Sequence, residues 1–191
     1  RDTDRSRGLG DVYKRQNEID DLNVANEQND MVEKLIHKFF HFDNSDMSGK
    51  IVAYLNLLFN DIVRFIGKDF TPLNPLMKSE YMTNYCVTQK DEGLLSFNSG
   101  VDMSKSVAIA FASRYAKEEF HEFDEYVKAS IEDFLNLHNG LFNVNMSNEF
   151  SLELNLCPPE VHEEETLTNA TKIYVFPIIF PFGTIHFLLE I

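Results

Sequence analysis

A carboxylate and an amide lie three residues apart near the middle of one long helical segment. The segment runs from about Glu122 to Phe142, and Asp133 and Asn136 fall opposite its apolar stripe. Residues three apart on a helix are surface neighbours, so both side chains can reach one bound group. An amide donates and accepts hydrogen bonds at once, whereas a carboxylate accepts them or pairs with a cation. From spacing alone, an ordinary solvated helix face is the favoured interpretation.

Three further residues border this pair. Ala129 lies one turn before Asp133, and Gly140 lies one turn after Asn136. Glu132 has a longer arm than Asp133 but sits about 100° away around the helix. Gly140 would let a partner backbone approach closely, or would end the helix as part of an Asn139-Gly140 cap. The predicted inward stripe is Phe123, Tyr126, Val127, Ser130, Ile131, Phe134, Leu135, His138, Leu141 and Phe142.

The string ASIEDFLNLHNG, residues 129–140, resembles the active helix of the CheC/CheX/FliY family of chemotaxis phosphatases. That helix carries Asp or Ser, then Glu, Asn and Gly at the same spacing. Asn136 and Gly140 match, whereas Asp133 stands in place of Glu and Ala129 in place of Asp or Ser. The order of the surrounding elements extends the resemblance over about residues 49–191.

The resemblance implies hydrolysis of the aspartyl phosphate on a CheY-type response regulator. Asn136 would orient the attacking water, and Asp133 would pair with a lysine of the receiver domain. Phosphoryl transfer has a loose transition state, so positioning a water lowers the barrier without a strong base. The receiver would supply Mg²⁺, and no cofactor would be bound by this chain itself.

The altered motif leaves the enzyme assignment open. Asp133 is one methylene shorter than Glu, and a misplacement of about 1 Å can cost on the order of 10²-fold in rate. One alternative is a degenerate, non-catalytic domain that binds a receiver or forms a homodimer through a sheet edge. Another is a scaffold related to the flagellar switch.

The remaining elements predict an α/β (α+β) fold with a mainly antiparallel sheet and long helices packed on one face. The sequence predicts helices over Lys50–Ile66 and Ser104–Lys117. It predicts strands over 82–88, 93–98, 150–156, 172–180 and 184–191, with a polar turn at 89–92 and an acidic loop at 158–170. Pro177 indicates an edge strand or a bulge.

The N-terminal region is expected to lie outside this domain. Residues 1–16 resemble a translated cloning adapter, and residues 17–48 read as an acidic linker with a short helix. We expect this linker to be the end of a lost upstream domain. Glu33, His37 and His41 could share a helix face as metal ligands, but an amphipathic helix flank is the favoured interpretation because no fourth ligand is near them in the sequence.

Charge and composition exclude several classes of partner. The net charge of −14 opposes binding to nucleic acid or to an anionic membrane. Two distant cysteines and the lack of a long apolar run predict a cytoplasmic protein. His162 with Glu163–Glu165 predicts a solvated acidic loop, with a cation site as the alternative.

Overall fold

The structure, a computed structural model, describes residues 45–94 and 96–190, of which 45–48 and 169–171 are described in the backbone alone. The described chain divides into two units, with the boundary between residues 60 and 61. The predicted segment 1–16 and residues 17–44 of the predicted linker, with Glu33, His37 and His41, lie outside the described residues. No helix within the described ranges is long and apolar enough to cross a bilayer.

Three α-helices and eight strands make up the described residues. The helices are α1 (Ser45–Asp61), α2 (Lys105–Ala116) and α3 (Glu125–Phe150). A single π-helical turn, Ile62–Ile66, continues α1 and ends at Gly67. The strands are β1 (Thr71–Pro72), β2 (Leu76–Met82), β3 (Tyr85–Gly93), β4 (Phe97–Met103), β5 (Leu154–Leu156), β6 (Glu160–Glu163), β7 (Thr166–Phe180) and β8 (Gly183–Glu190).

The described strands form one antiparallel sheet. Its order is β1-β7-β8-β4-β3-β5, with β2 also pairing with β7 and β6 also pairing with β3. All the described pairings are antiparallel. This confirms the predicted fold class, because strands joined by short connections pair in that direction.

One face of the sheet packs against α2 and α3 through aromatic rings. The Phe134 ring of α3 makes edge-to-face contacts with Phe111 and Tyr115 of α2, at centroid distances of 5.2 and 5.8 Å. Phe187 of β8 lies beneath it at 6.4 Å. Phe111 and Phe134 are fully buried, so this cluster fixes the two helices on the sheet.

The sheet curls, and its opposite face has a second apolar cluster. The members of this cluster are Tyr81, Cys86, Ile173, Val175 and Leu188. The Tyr81 hydroxyl donates to Asp102 of β4 at 2.7 Å and lies 2.5 Å from Nδ1 of His186. These contacts satisfy the polar groups on this face, as burial requires. His186 therefore contributes a hydrogen bond to this cluster.

Several predicted boundaries are wrong. The polar turn at 89–92 lies inside β3, and the acidic loop at 158–170 contains β6 and the start of β7. The predicted strand at 150–156 shrinks to β5. The missed strands are polar because they add to the edge of β3 or face solvent, where alternation with a core face is not required. The helix predicted from Lys50 begins earlier, at Ser45.

Pro177 does not lie on an edge strand, because β7 pairs on both sides. It opposes His186 of β8, and on the other side it falls between the residues that pair with β1 and those that pair with β2. Its carbonyl accepts a hydrogen bond from the Leu73 N–H at 2.8 Å. Pro177 lacks an N–H, and none is needed there because it lies between the part of β7 that pairs with β1 and the part that pairs with β2.

Candidate functional site

The helix that carries Asp133 and Asn136 is longer than predicted. The Asp124 carboxylate caps it by accepting hydrogen bonds from the N–H groups of Tyr126 and Val127, both at 3.0 Å. The helix therefore starts at Glu125 and continues to Phe150. Gly140 lies inside the helix, so its interpretation as a helix end is wrong.

The helix faces differ from the predicted wheel at three positions. Tyr126 and Leu141 are 73% and 38% exposed, although both were placed in the inward stripe. Asn139 is fully buried, although it was predicted to border the helix end. Burial of Val127, Ile131, Phe134, Leu135, His138 and Phe142 confirms most of the stripe. Phe123 and Ser130 are only half-buried, and Phe123 precedes the helix.

An open groove between the end of α2 and α3 brings the candidate residues together. It has a volume of ≈ 750 Å³, and Ala129, Glu132, Asp133 and Asn136 all line it. Aromatic side chains also border it, namely Tyr115, Phe120 and Tyr126. The two polar side chains predicted as a pair therefore share one concave, solvent-accessible surface.

Asp133 is held by a tyrosine of the neighbouring helix. The Tyr115 hydroxyl donates to Oδ2 of Asp133 at 2.6 Å. Partial burial, reinforced by this carboxylate, raises the pKa of the Tyr115 phenol, which therefore stays protonated as a donor. The contact fixes one carboxylate oxygen and leaves the other to meet a cation.

Asn136 is held from below by a buried glutamine. Nε2 of Gln89 donates to Oδ1 of Asn136 and to the Cys157 carbonyl, both at 2.9 Å. Gln89 lies on β3 and is 1% exposed, whereas Asn136 is exposed. An exposed amide on α3 is thus anchored to the sheet.

Two more polar pairs connect α3 and β3. Asn139 donates from Nδ2 to Oε1 of Gln89 at 3.0 Å. Asn143 donates from Nδ2 to Oδ1 of Asp91 at 2.6 Å. Asp91 is fully buried, and burial raises the pKa of its carboxyl to about 6. A polar seam therefore runs beneath one flank of the helix.

Comparison with known proteins addresses the fold. No protein-family model and no curated protein matches the sequence. A CheC-like superfamily protein from Shewanella sp. PV-4 superposes with a TM-score of 0.64 at 16% identity, covering 77% of this chain and 97% of that one. CheX from Desulfovibrio desulfuricans superposes with a TM-score of 0.61 at 14% identity, covering 74% and 97%. The domain has a CheX-like fold.

A further structure similar to the CheX-like domain includes a second protein. It is the complex of CheX, CheY, BeF₃ and Mg²⁺ from Borrelia burgdorferi. This chain matches it with a TM-score of 0.62 at 17% identity, covering 74% of this chain and 96% of that one. At this level of identity the likeness establishes the fold, while the roles of individual residues depend on the geometry.

Gly140 lies within α3, and the space where its side chain would be is open. A methyl group built at this position would have no atom within 4 Å, so internal packing does not require glycine there. Glycine inside a helix costs about 1 kcal/mol relative to alanine. Packing within the described chain therefore gives no reason for this less stable residue.

Metal ligands were also predicted as alternatives. Within the described ranges, no group of three or more His, Cys, Asp or Glu side chains is placed to hold a metal ion. The His162 ring contacts the Thr88 hydroxyl at 2.9 Å and the Glu165 carboxylate at 2.8 Å. His162 and Glu163 belong to β6, so the solvated loop predicted there is instead partly an added edge strand.

Sequence reasoning missed Gln89 and Tyr115. Gln89 was assigned to a turn, and Tyr115 has no motif. The usable signal was Asn136, Asn139 and Asn143 at spacings of three and four, which places three amides along one flank of a helix. A polar flank beside an apolar stripe indicates a polar neighbour beneath it.

Proposed function

We propose that the CheX-like domain hydrolyses the aspartyl phosphate of a CheY-type receiver domain. The observation that carries the proposal is the shared groove in which Asp133 and Asn136 lie side by side, each anchored by a hydrogen bond from a neighbouring element. The fold is shared with a CheX that forms a complex with CheY, which supports a receiver as the partner.

In the proposed reaction, a water attacks the phosphorus while the bond to the aspartyl oxygen breaks. The products are inorganic phosphate and a free aspartate on the receiver. The Asn136 amide offers its N–H groups and a remaining carbonyl lone pair to the groove, so it can orient the water against a phosphoryl oxygen. A carboxylate at this position would repel the phosphoryl oxygens.

Asp133 would pair with a receiver lysine. Its Oδ2 is engaged by Tyr115, so the pairing would use Oδ1. Mg²⁺ would be held by the receiver, where it offsets the phosphoryl charge. Such a partner and two free thiols, Cys86 and Cys157, favour the cytoplasm as the compartment.

One observation favours a second candidate, a domain that binds a receiver without hydrolysing it. Ala129 presents no polar group to the groove, and the Asp133 side chain is one methylene shorter than the Glu of the resembling family. The same groove would then serve docking alone.

A homodimer formed through a sheet edge is compatible with both candidate functions. β2 pairs with β7 and exposes Leu76 and Met77, which are 47% and 49% accessible. Light scattering of the full chain and of Met77→Lys tests this arrangement. A monomeric wild-type chain at tens of micromolar would contradict it.

The experiment that separates the two candidates uses receiver domains of the source organism, phosphorylated with acetyl phosphate. A substoichiometric amount of the full chain should shorten the lifetime of the aspartyl phosphate, with each molecule acting many times. Binding measured by fluorescence anisotropy without any shortening would support the docking function and contradict hydrolysis.

A further inference from the structure

We propose that Gln89 is a positioning residue that fixes which end of the Asn136 amide faces the groove. The inference rests on the proposed phosphatase function for its kinetic consequence, while its structural part stands on the hydrogen bonds alone. It concerns a buried set that we call the amide relay, consisting of Gln89, Ser99 and Asn139.

The Cys157 carbonyl sets the direction of the relay. A backbone carbonyl only accepts, so the Gln89 atom at 2.9 Å from it must be Nε2. Oε1 of Gln89 then accepts from Nδ2 of Asn139 at 3.0 Å. Asn139 in turn exchanges hydrogen bonds of 2.8 and 3.1 Å with the Ser99 hydroxyl.

The same logic orients the exposed amide. Nε2 of Gln89 is a donor, so the Asn136 atom 2.9 Å away must be Oδ1. Nδ2 of Asn136 is therefore directed away from Gln89. A reversed amide would set N–H against N–H and would present carbonyl lone pairs to the negatively charged phosphoryl oxygens, which is repulsive.

Burial makes the relay rigid. Gln89 and Ser99 are each 1% exposed, and Asn139 is fully buried. A buried amide that loses its partners forfeits free energy, so the three side chains hold one arrangement. Asn136 is exposed and could bond to water in either orientation, so its direction depends on Gln89.

The relay differs from ordinary core packing because it is hydrogen-bonded to an exposed residue, Asn136. One N–H group of Nε2 donates to the Cys157 carbonyl. The other donates to Asn136, which lies at the surface. The contacts with Cys157 and Asn139 already account for a buried amide at position 89, because an apolar residue there would take a partner from each of them. The contact with Asn136 is the one that reaches the groove. Through this contact, the buried residues on β3 fix the orientation of the Asn136 amide in the groove.

The first test needs no activity. In ¹⁵N NMR spectra of the free chain, Gln89→Met should shift the side-chain amide resonances of Asn136, because methionine cannot donate to Oδ1. Thr88→Val is the matched control, since it removes a buried hydroxyl from the same strand and should leave those resonances in place. Unchanged Asn136 resonances in folded Gln89→Met would overturn the proposal.

The second test uses the phosphorylated receiver. Gln89→Met should lower kcat by about 10-fold to 10²-fold, with KM changed less than twofold, because docking is intact and only positioning is lost. In an Asn136→Ala background the same substitution should cause no further loss. Losses that multiply would show that Gln89 acts through general packing and would contradict the inference.

A third variant adds a pH readout and covers the case in which Gln89→Met does not fold. At acid pH the protonated Gln89→Glu side chain has one O–H group that can donate to Oδ1 of Asn136. At alkaline pH its carboxylate has no donor and attracts the Asn136 N–H groups, which reverses the amide. Its kcat relative to wild type should therefore rise as pH falls. A pH-independent ratio would contradict the proposal. If the wild type shows no hydrolysis, the phosphatase function fails, and the NMR result still decides the orienting role.

Discussion

The hydroxyl of Tyr115 donates a hydrogen bond of 2.6 Å to Oδ2 of Asp133, across the boundary between α2 and α3. The tyrosine ring is itself fixed by edge-to-face contacts with Phe65 and Phe134 and by stacking on Phe111. An exposed carboxylate is thereby held in one rotamer by an aromatic cluster that belongs to the core. This contact gives the groove a preset acid on the flank of Asn136.

Removing the Tyr115 hydroxyl should make the Asp133 side chain more mobile. In Tyr115→Phe the ring contacts remain while Asp133 regains rotamer freedom, so we expect kcat on the phosphorylated receiver to fall about 3- to 10-fold. Stopped-flow or radiolabel decay of the aspartyl phosphate measures the change. Tyr174→Phe removes a hydroxyl from β7 outside the groove and serves as the control. Equal rates for Tyr115→Phe and wild type would contradict the role assigned to this contact.

Lengthening the acid should increase the rate. Asp133→Glu restores the residue that the resembling family carries and moves the carboxylate outward by about one bond, toward a docked lysine. We expect kcat to rise by about 10-fold. Glu132→Asp makes the reverse change at the neighbouring acid and should have little effect. An unchanged or lower kcat in Asp133→Glu would show that the shorter acid does not limit the reaction.

Replacing Gly140 should stabilise the fold and weaken docking of the receiver. Gly140→Ala adds a methyl group into open space within a helix, so the free energy of unfolding should rise by about 1 kcal/mol. For a chain of this size that corresponds to a melting temperature about 2–4 °C higher by calorimetry. If a partner backbone approaches here, KM for the receiver should rise in the same variant. A higher melting temperature with unchanged KM would confine the role of Gly140 to the free protein.

Asp91 should make stability depend on pH. Its carboxyl has a pKa of about 6 in the folded chain, against 3.8 ordinarily, because it is buried on β3. A raised acid pKa favours folding while the group is protonated. That contribution is fully present below about pH 3.8 and is lost as pH rises through about 6, amounting to about 3 kcal/mol of unfolding free energy.

Asp91→Asn should therefore flatten this dependence. Urea unfolding at pH 5 and pH 7.5 should show a smaller loss of unfolding free energy in Asp91→Asn than in wild type. Glu122→Gln, which changes an exposed acid before α3, controls for net charge. A parallel loss in Asp91→Asn and wild type would mean that another group carries the pH dependence.

The strong apolar patterns made much of this fold predictable. The helix at Ser104–Lys117, the C-terminal hairpin and the antiparallel sheet all follow from periodicity and short connections. The polar edge strand β6 and the first half of β7 escaped notice because their pairing partners, β3 and β2, are distant in sequence. Such strands are specified by the sheet they join rather than by their own composition.

The candidate site was predictable only in part. Helical spacing placed Asp133 and Asn136 side by side, and the structure confirms that they share a groove. The anchors Tyr115 and Gln89 come from other elements, so no local pattern reveals them. Gln89 was further hidden because Gln89–Glu92 has the polar composition of a turn, although β3 runs through it.

The decay of the aspartyl phosphate on a receiver of the source organism shows whether the domain hydrolyses it through Asn136. The full chain, the Asn136→Ala variant and an Asn148→Ala control, which changes an exposed asparagine near the end of the same helix, are compared under single-turnover conditions. The proposed role of Asn136 predicts fast decay with wild type and the control, and decay about 10²-fold slower with Asn136→Ala. Equal decay with wild type and Asn136→Ala would contradict it.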